Sequence, residues 1–322
     1  MQNKTFPLLK SLCFSAFLLS LTTAWQVNSA EPKLPLSIIY GGIENNKKTL
    51  FMTDEKGIRQ VKVGNSPDIL AIGYPSVSPN GKHIAFYGKY DKYKTWSIHT
   101  ADINGKNIKR LTHVKHVWDS APTWSPDGKS IVFAREYTAE DGTPQEEMWL
   151  MNPDGSNKHK IPHLQGRSPE FMPDGRLLFQ TIAGPSQIAI ANIDGSNIIQ
   201  LTNDKTKSIS PKISPDGKQI AYVANRDGNQ EVYIMDIDGT NNKRLTKNSI
   251  ADWGPVWSLD GSKVLFSSQN VHGFYDIYKV NKDGSNIEKV LKNGSQARSL
   301  FHVNSEHLEQ QVKQNTAVLI KQ

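Results

Sequence analysis

Ala121-Pro-Thr-Trp-Ser-Pro-Asp-Gly128, with Lys129-Ser-Ile-Val-Phe133 directly behind it, is the stretch from which the fold can be read. Near copies stand at Tyr74-Pro-Ser-Val-Ser-Pro-Asn-Gly81, Ser168-Pro-Glu-Phe-Met-Pro-Asp-Gly175, Ser210-Pro-Lys-Ile-Ser-Pro-Asp-Gly217 and Gly254-Pro-Val-Trp-Ser-Leu-Asp-Gly261. Their closing glycines lie 47, 47, 42 and 44 residues apart. A period in the forties marks one supersecondary unit copied along the chain, which points to a propeller or a solenoid.

A second signal runs out of phase with the octet. Asx-Gly pairs occur at Asn104-Gly105, Asp154-Gly155, Asp194-Gly195, Asp238-Gly239 and Asp283-Gly284, with a looser copy at Lys56-Gly57. Such pairs suit hairpin turns because they tolerate positive φ, and Gly128, Gly217 and Gly239 are expected there. Short apolar runs fill the intervals, among them Ile131-Val-Phe133, Ile220-Ala-Tyr222, Val232-Tyr-Ile-Met235 and Arg244-Leu-Thr246. β-branched and aromatic residues bounded by Gly, Pro, Asn and Asp read as strands. Four strands in forty-odd residues make the blade of a β-propeller, whereas a helical repeat would need long amphipathic helices.

There are six copies of the second turn and five octets. The odd set begins at Ser37-Ile-Ile-Tyr40, continues through Thr49-Leu-Phe-Met52 and about Ile58 to Val63, and lacks a first strand. Ser299-Leu-Phe-His-Val-Asn304 can supply it. The expected fold is therefore all-β: a six-bladed β-propeller of four-stranded antiparallel blades, its ring closed by a C-terminal strand that leaves no open sheet edge.

The chain has 322 residues, 37% hydrophobic and 21% charged, which is a globular profile. Met1 to Ala30 reads differently: Lys4 and Lys10 precede the apolar run Leu12 to Ala24, the pattern of a secretory signal. Cleavage is expected after Ala30, with Ala24 as the other small-residue site. The domain reading is a signal peptide over 1–30, a propeller over 31–304 and a tail over 305–322. Cys13 is the only cysteine and leaves with the signal, so no disulfide or thiol chemistry is expected. The remaining chain carries 36 basic residues against 31 acidic ones. In an exported protein that excess favours acidic protein surfaces or anionic envelope polymers over nucleic acid.

Strand alternation sorts the connections. Octet turns and Asx-Gly turns fall at one end of the blades. Irregular connections fall at the other: Gly88 to Thr95, Arg135 to Glu147, Ile182 to Gln187, Asn225 to Gln230 and Ser268 to Tyr275. Function tends to sit on irregular loops held by a rigid scaffold. The candidate partner-binding residues at that end are Tyr90, Tyr93, Asp119, Arg167, Arg226, Asp252, His272 and Tyr275, Tyr and Arg being enriched at interface hot spots. The plainer reading makes each an ordinary solvated loop residue. His113-x-x-His116 with Asp119 is a poor metal site, because side chains three apart on a strand point to opposite faces. The Asp-Gly turns lack the spacing and terminal Glu of calcium loops. No nucleophile elbow or phosphate loop occurs. Trp124 and Trp257 read as blade packing. No catalytic residue, metal or cofactor is expected.

Ser214-Pro-Asp-Gly-Lys-Gln-Ile-Ala-Tyr222 and Met235-Asp-Ile-Asp-Gly-Thr-Asn-Asn-Lys-Arg-Leu-Thr246 carry a resemblance to the propeller repeat of the TolB family, extending from about Ser37 to Asn304. Similar repeats occur in prolyl-peptidase propellers and oligogalacturonate lyases. The resemblance implies a monomeric periplasmic propeller that binds an envelope protein, such as the peptidoglycan-associated lipoprotein Pal of the Tol–Pal system. TolB also has an α/β domain before its propeller; with only Glu31 to Leu36 between the expected signal and the first strand, no such domain is expected here. The second reading is a secreted lyase-like enzyme acting on an anionic polysaccharide, with His272 or His302 near the channel.

Overall fold

A computed structural model describes residues 36–44, 47–54, 56–57, 60–63, 69–90, 95–295 and 300–302. The expected signal segment 1–30, the tail 305–322 and Tyr93 lie outside the described residues, which contain strands and turns and no α-helix.

The strands fall in sets. The first holds β1 (Leu36–Glu44), β2 (Lys47–Asp54) and β3 (Gln60–Val63). The second is β4 (Ala71–Val77), β5 (His83–Tyr90), β6 (Thr95–Asp102) and β7 (Lys109–Arg110). The third is β8 (Trp118–Trp124), β9 (Ile131–Thr138), β10 (Pro144–Met151) and β11 (His159–Gln165). Then come β12 (Arg167–Phe171), β13 (Leu177–Gln180), β14 (Ile188–Ala191) and β15 (Ile199–Gln200). The fifth set is β16 (Ser208–Ile213), β17 (Gln219–Ala224), β18 (Glu231–Asp236) and β19 (Lys243–Arg244). The sixth is β20 (Asp252–Trp257), β21 (Lys263–Gln269), β22 (Tyr275–Asn281) and β23 (Glu288–Ser295), and β24 (Leu300–His302) follows it. Within each set successive strands pair antiparallel, and β24 pairs antiparallel with β1 through Tyr40↔Leu300, Ile39↔Phe301 and Ile38↔His302. This is a β-propeller architecture.

The octet explains itself as a turn. Ser125 Oγ donates to Asp127 Oδ1 at 2.6 Å, the same oxygen accepts from Lys129 N at 3.0 Å, and Gly128 N donates to Ser125 O. Ser78/Asn80, Ser214/Asp216 and Ser258/Asp260 repeat the arrangement. Gly128, Gly217 and Gly239 have φ of 71°, 72° and 86°, as the sequence leads one to expect. The Asx-Gly turns work alike: Asp154, Asp194, Asp238 and Asp283 each accept from the backbone N–H and hydroxyl of the Ser or Thr two residues on. In each of these turns one carboxylate oxygen closes the turn.

The Arg-Leu-Thr element is structural as well. Thr112, Thr202 and Thr246 place their hydroxyls 2.9 Å from the buried N–H of Ile98, Ile188 and Val232, where the short fourth strand has already ended. A hydroxyl thus replaces a missing ladder bond. Six hydrophobic clusters among the described residues each combine side chains from two neighbouring sets; one joins Ile38 and Tyr40 to Val256, Leu265, Ile277, Val290 and Leu291.

The first strand of each octet-bearing set carries a β-bulge. Register shifts at Gly73/Ser76, Ser120/Thr123, Arg167/Glu170, Ile209/Lys212 and Trp253/Val256. At each bulge the residue before proline sits at positive φ: Tyr74, Ala121, Ser168, Ser210 and Gly254, between 48° and 56°. Proline offers no N–H to the ladder, so a bulge is where a strand tolerates it. The sequence reading found the glycines of the turns and missed this second, mostly non-glycine, set of left-handed positions.

Candidate functional site

The bulged prolines Pro75, Pro122, Pro169, Pro211 and Pro255 converge on a narrow axial cavity of about 40 Å³. Toward the octet turns it widens into a pocket of about 340 Å³ walled by Trp124, Phe171, Ile213, Trp257 and Leu259. One ion pair stands in this otherwise uncharged wall: Lys212 Nζ lies 2.5 Å from Glu170 Oε2. Burial pushes the Glu170 carboxyl up, against the pull of Lys212 and the Ile213 N–H. Trp124 and Trp257 are core residues of the packing between sets, as read from the sequence, and they also form the pocket wall. Glu170 and Lys212 were missed. Their signal was the third octet position, where Ser76, Thr123, Glu170, Lys212 and Val256 alternate in chemistry because that position faces the axis.

At the opposite end the connection expected as a loop from Arg135 to Glu147 is mostly strand. β9 and β10 stay paired out to Thr138↔Pro144, leaving a turn at 139–143. The reason is a polar network that extends the hairpin: Glu147 accepts from Tyr137 Oη at 2.9 Å, Trp149 Nε1 at 2.9 Å and Lys160 Nζ at 2.6 Å. Beside this hairpin lies a groove of about 350 Å³ lined by Trp96, Trp118, Glu136, Tyr137, Glu146 and Arg167, among others.

The candidate residues do not converge on one point. Asp119 is wholly buried and takes a bidentate bond from Arg135 at 2.7 and 2.9 Å. Asp252 is wholly buried and accepts from Asn248 Nδ2 at 2.9 Å; burial raises its carboxyl to about 6. Tyr275 is buried at the start of β22. Tyr90 packs against the first core cluster, with its hydroxyl on His99 Nε2 and the Arg110 guanidinium 4.1 Å above its ring. That histidine is held neutral: desolvation lowers it to about 4. Arg226 bonds Asp204 at 3.1 Å and lies 4.2 Å over the Tyr233 ring. His272 sits on the exposed turn Asn270–Phe274, its N–H on Asn270 Oδ1. Of the seven described candidates, Arg167 lines the groove and none lines the axial cavity or its pocket.

A family model described as "TolB beta propeller domain" matches residues 37–204 and 168–320. A Protein TolB homolog of Chlorobaculum tepidum is 27% identical over 180 residues, 56% of this chain and 38% of that protein. A Tol-Pal system protein TolB of Francisella tularensis subsp. mediasiatica is 30% identical over 225 residues, 67% of this chain and 49% of that protein. The chain thus spans half or less of the length of these relatives. The crystal structure of TolB from Acinetobacter baumannii superposes with a TM-score of 0.72 at 23% identity, covering 83% of this chain and 66% of that one, a likeness of fold. Among the described residues no helix is long and apolar enough to cross a membrane.

Proposed function

We propose a function from this premise: the chain belongs to the TolB β-propeller family. It is a non-catalytic propeller, exported to the periplasm after removal of residues 1–30, that binds a protein partner of the cell envelope. The partner class is a peptidoglycan-associated lipoprotein, as the resemblance to the TolB family implies. The propeller, residues 31–304, acts as a monomer of six four-stranded blades, the first completed by the C-terminal strand. The pairing of β24 with β1 and the cluster that joins Ile38 and Tyr40 to β20–β23 support that closure.

The observation that carries the reading is the division of labour between the two ends. The octet and Asx-Gly carboxylates are absorbed by their own turns, whereas Arg167, Arg226 and His272 stand at the end built from unlike connections. Arg167 and Arg226 are partly exposed, at 44% and 27% of the side chain, the first braced by Glu136 and Glu146 and the second by Asp204. Braced, accessible guanidiniums are pre-organised for a partner's acidic or carbonyl groups. Asp119, Asp252 and Tyr275 hold that end in shape from within.

The test is capture of the soluble domain of a peptidoglycan-associated lipoprotein from the same organism by the purified propeller. Neutral replacement at both positions, R167Q with R226Q, is expected to weaken capture measured well below the melting transition, which itself falls because Glu136, Glu146 and Asp204 lose their partners. Equal capture by the double variant would move the interface away from these residues, and loss only on altering Trp257 or Leu259 would move it to the axial pocket.

A further inference from the structure

Four side chains of the groove form a single row across four strands. Trp96 of β6 is the partner of Trp118 on β8, Trp118 of Glu136 on β9, and Glu136 of Glu146 on β10. Directly paired residues share one face of a sheet, so the four stand side by side. The row continues at both ends. Lys89, the partner of Trp96 on β5, places Nζ 5.5 Å over the Trp96 ring. At the other end Arg167 makes a bidentate bond to Glu146 and lies 3.0 Å from Glu136 Oε2. The five paired positions from Lys89 to Glu146, a strand spacing apart, give a row of about 19 Å, and Arg167 of β12 bridges its two carboxylates.

Three features mark it as built for a ligand. Trp118 is 42% exposed, and Trp96 stacks on it with ring centroids 5.4 Å apart and 23° between planes. One side of the indole is therefore covered and its remaining exposure is offered to the groove. Two stacked indoles, one of them partly open to the groove, supply an apolar plane beside its polar groups. Next, Arg167 is held by both groove carboxylates, Glu136 and Glu146, and Lys89, beyond Trp96 and outside the groove lining, balances the remaining charge along the row. Finally, the platform is rigid. On the adjacent register positions Asp119 is locked to Arg135, and Glu147 to Tyr137, Trp149 and Lys160. Those bonds pin the backbone of β8, β9 and β10 from the other face.

A flat indole followed by two fixed carboxylates and a guanidinium offers one apolar plane and then a file of acceptors and donors. An uncharged ligand with an apolar C–H face and a rim of hydroxyls matches it. A charged polymer does not, because the row has no net charge to neutralise and its carboxylates already hold their own cation. We propose that this row is a binding groove for a neutral oligosaccharide, one pyranose ring stacking on Trp118 and the next bonding Glu136, Glu146 and Arg167. This inference is independent of the protein-partner reading, since it concerns a different ligand on different residues apart from Arg167.

The experiment is titration of the purified protein, followed by tryptophan emission and calorimetry. Four probes are used: the β-1,4-linked tetramer of N-acetylglucosamine, the β-1,4-linked tetramer of glucose, tetragalacturonate and tetralysine. At least one neutral tetramer is expected to bind saturably. W118A should weaken it by about tenfold or more, W118F should recover part of the loss, and E146Q should weaken it while the melting temperature holds. Lipoprotein capture by W118A should remain as in the wild type, which separates failure of this inference from failure of the previous one. Binding of neither neutral tetramer, binding of tetragalacturonate or tetralysine alone, or undiminished binding by W118A and E146Q would overturn it.

Discussion

Gly57, in the turn that follows β2, abuts the carbonyl of Val290 on β23, two residues far apart in the chain. The fit leaves no room for a side chain: a β-carbon on Gly57 would overlap the Val290 carbonyl oxygen. Gly195 stands against Pro162 O, and Gly239 against Leu201 O, in the same way. These three turns therefore rest on the fourth strand of the set before, or on the residue directly after it. Gly57 on Val290 makes the first set the successor of the last.

That contact predicts a matched difference. Gly57 and Gly142 both have positive φ, at 70° and 83°, but a β-carbon on Gly142 meets open space. G142A is expected to cost about 1 kcal/mol, the backbone strain alone. G57A adds an overlap with backbone and should cost about 1–3 kcal/mol more. Urea melts of the two variants decide it, and equal costs would dissolve the contact between first and last sets.

Leu300 is the partner of Tyr40, so a chain ending at Arg298 loses a strand from the first set. The expected result is a melting temperature lower by about 4 °C or more, with self-association through the bared edge of β1. Calorimetry and size-exclusion chromatography of the truncated protein would measure both. An unchanged melt would remove the closure by β24.

Asp252 sets a pH dependence whose sign follows from its burial. Desolvation raises the carboxyl to about 6 from 3.8, with the Glu231 charge adding to the rise and the Ser268, Thr246 and Asn248 groups opposing it. The folded state then holds this proton more tightly than the unfolded chain, so stability falls as pH rises from about 4 to about 6 and stays lower above that. D252N keeps a carbonyl for Asn248 and carries no charge. It should match the wild type near pH 4 and exceed it near pH 7 by roughly 2–3 kcal/mol at most. Denaturant melts at both pH values test this; an equal deficit at both would mean the carboxylate is needed for itself.

Thr112 tests the structural role of the Arg-Leu-Thr element. Its hydroxyl accepts from the Ile98 N–H at 2.9 Å, and both residues are buried. T112V keeps the shape and leaves that N–H without the bond, for an expected loss of about 1–3 kcal/mol. Hydrogen exchange at Ile98 should accelerate with it. A stable variant with unchanged exchange would show that the hydroxyl is dispensable.

What the chain shows by itself is whatever is bonded over a few residues. Ser125, Asp127 and Gly128 close a turn among themselves, and Asp154 with Ser156 closes another, so the same letters return with every set and their period discloses the propeller. The function-bearing chemistry has no such period. Trp96, Trp118, Glu136 and Glu146 lie at unrelated intervals in the chain and form a row because strand register and the packing of one set on the next align them. Asp119 and Asp252 read as loop carboxylates, yet Arg135 reaches Asp119 from the next strand and burial makes both part of the frame. Local hydrogen bonds repeat in sequence because each copy must make them alone. Register, burial and the meeting of Gly57 with Val290 are decided only when all the sets pack together, since their partners lie on different strands.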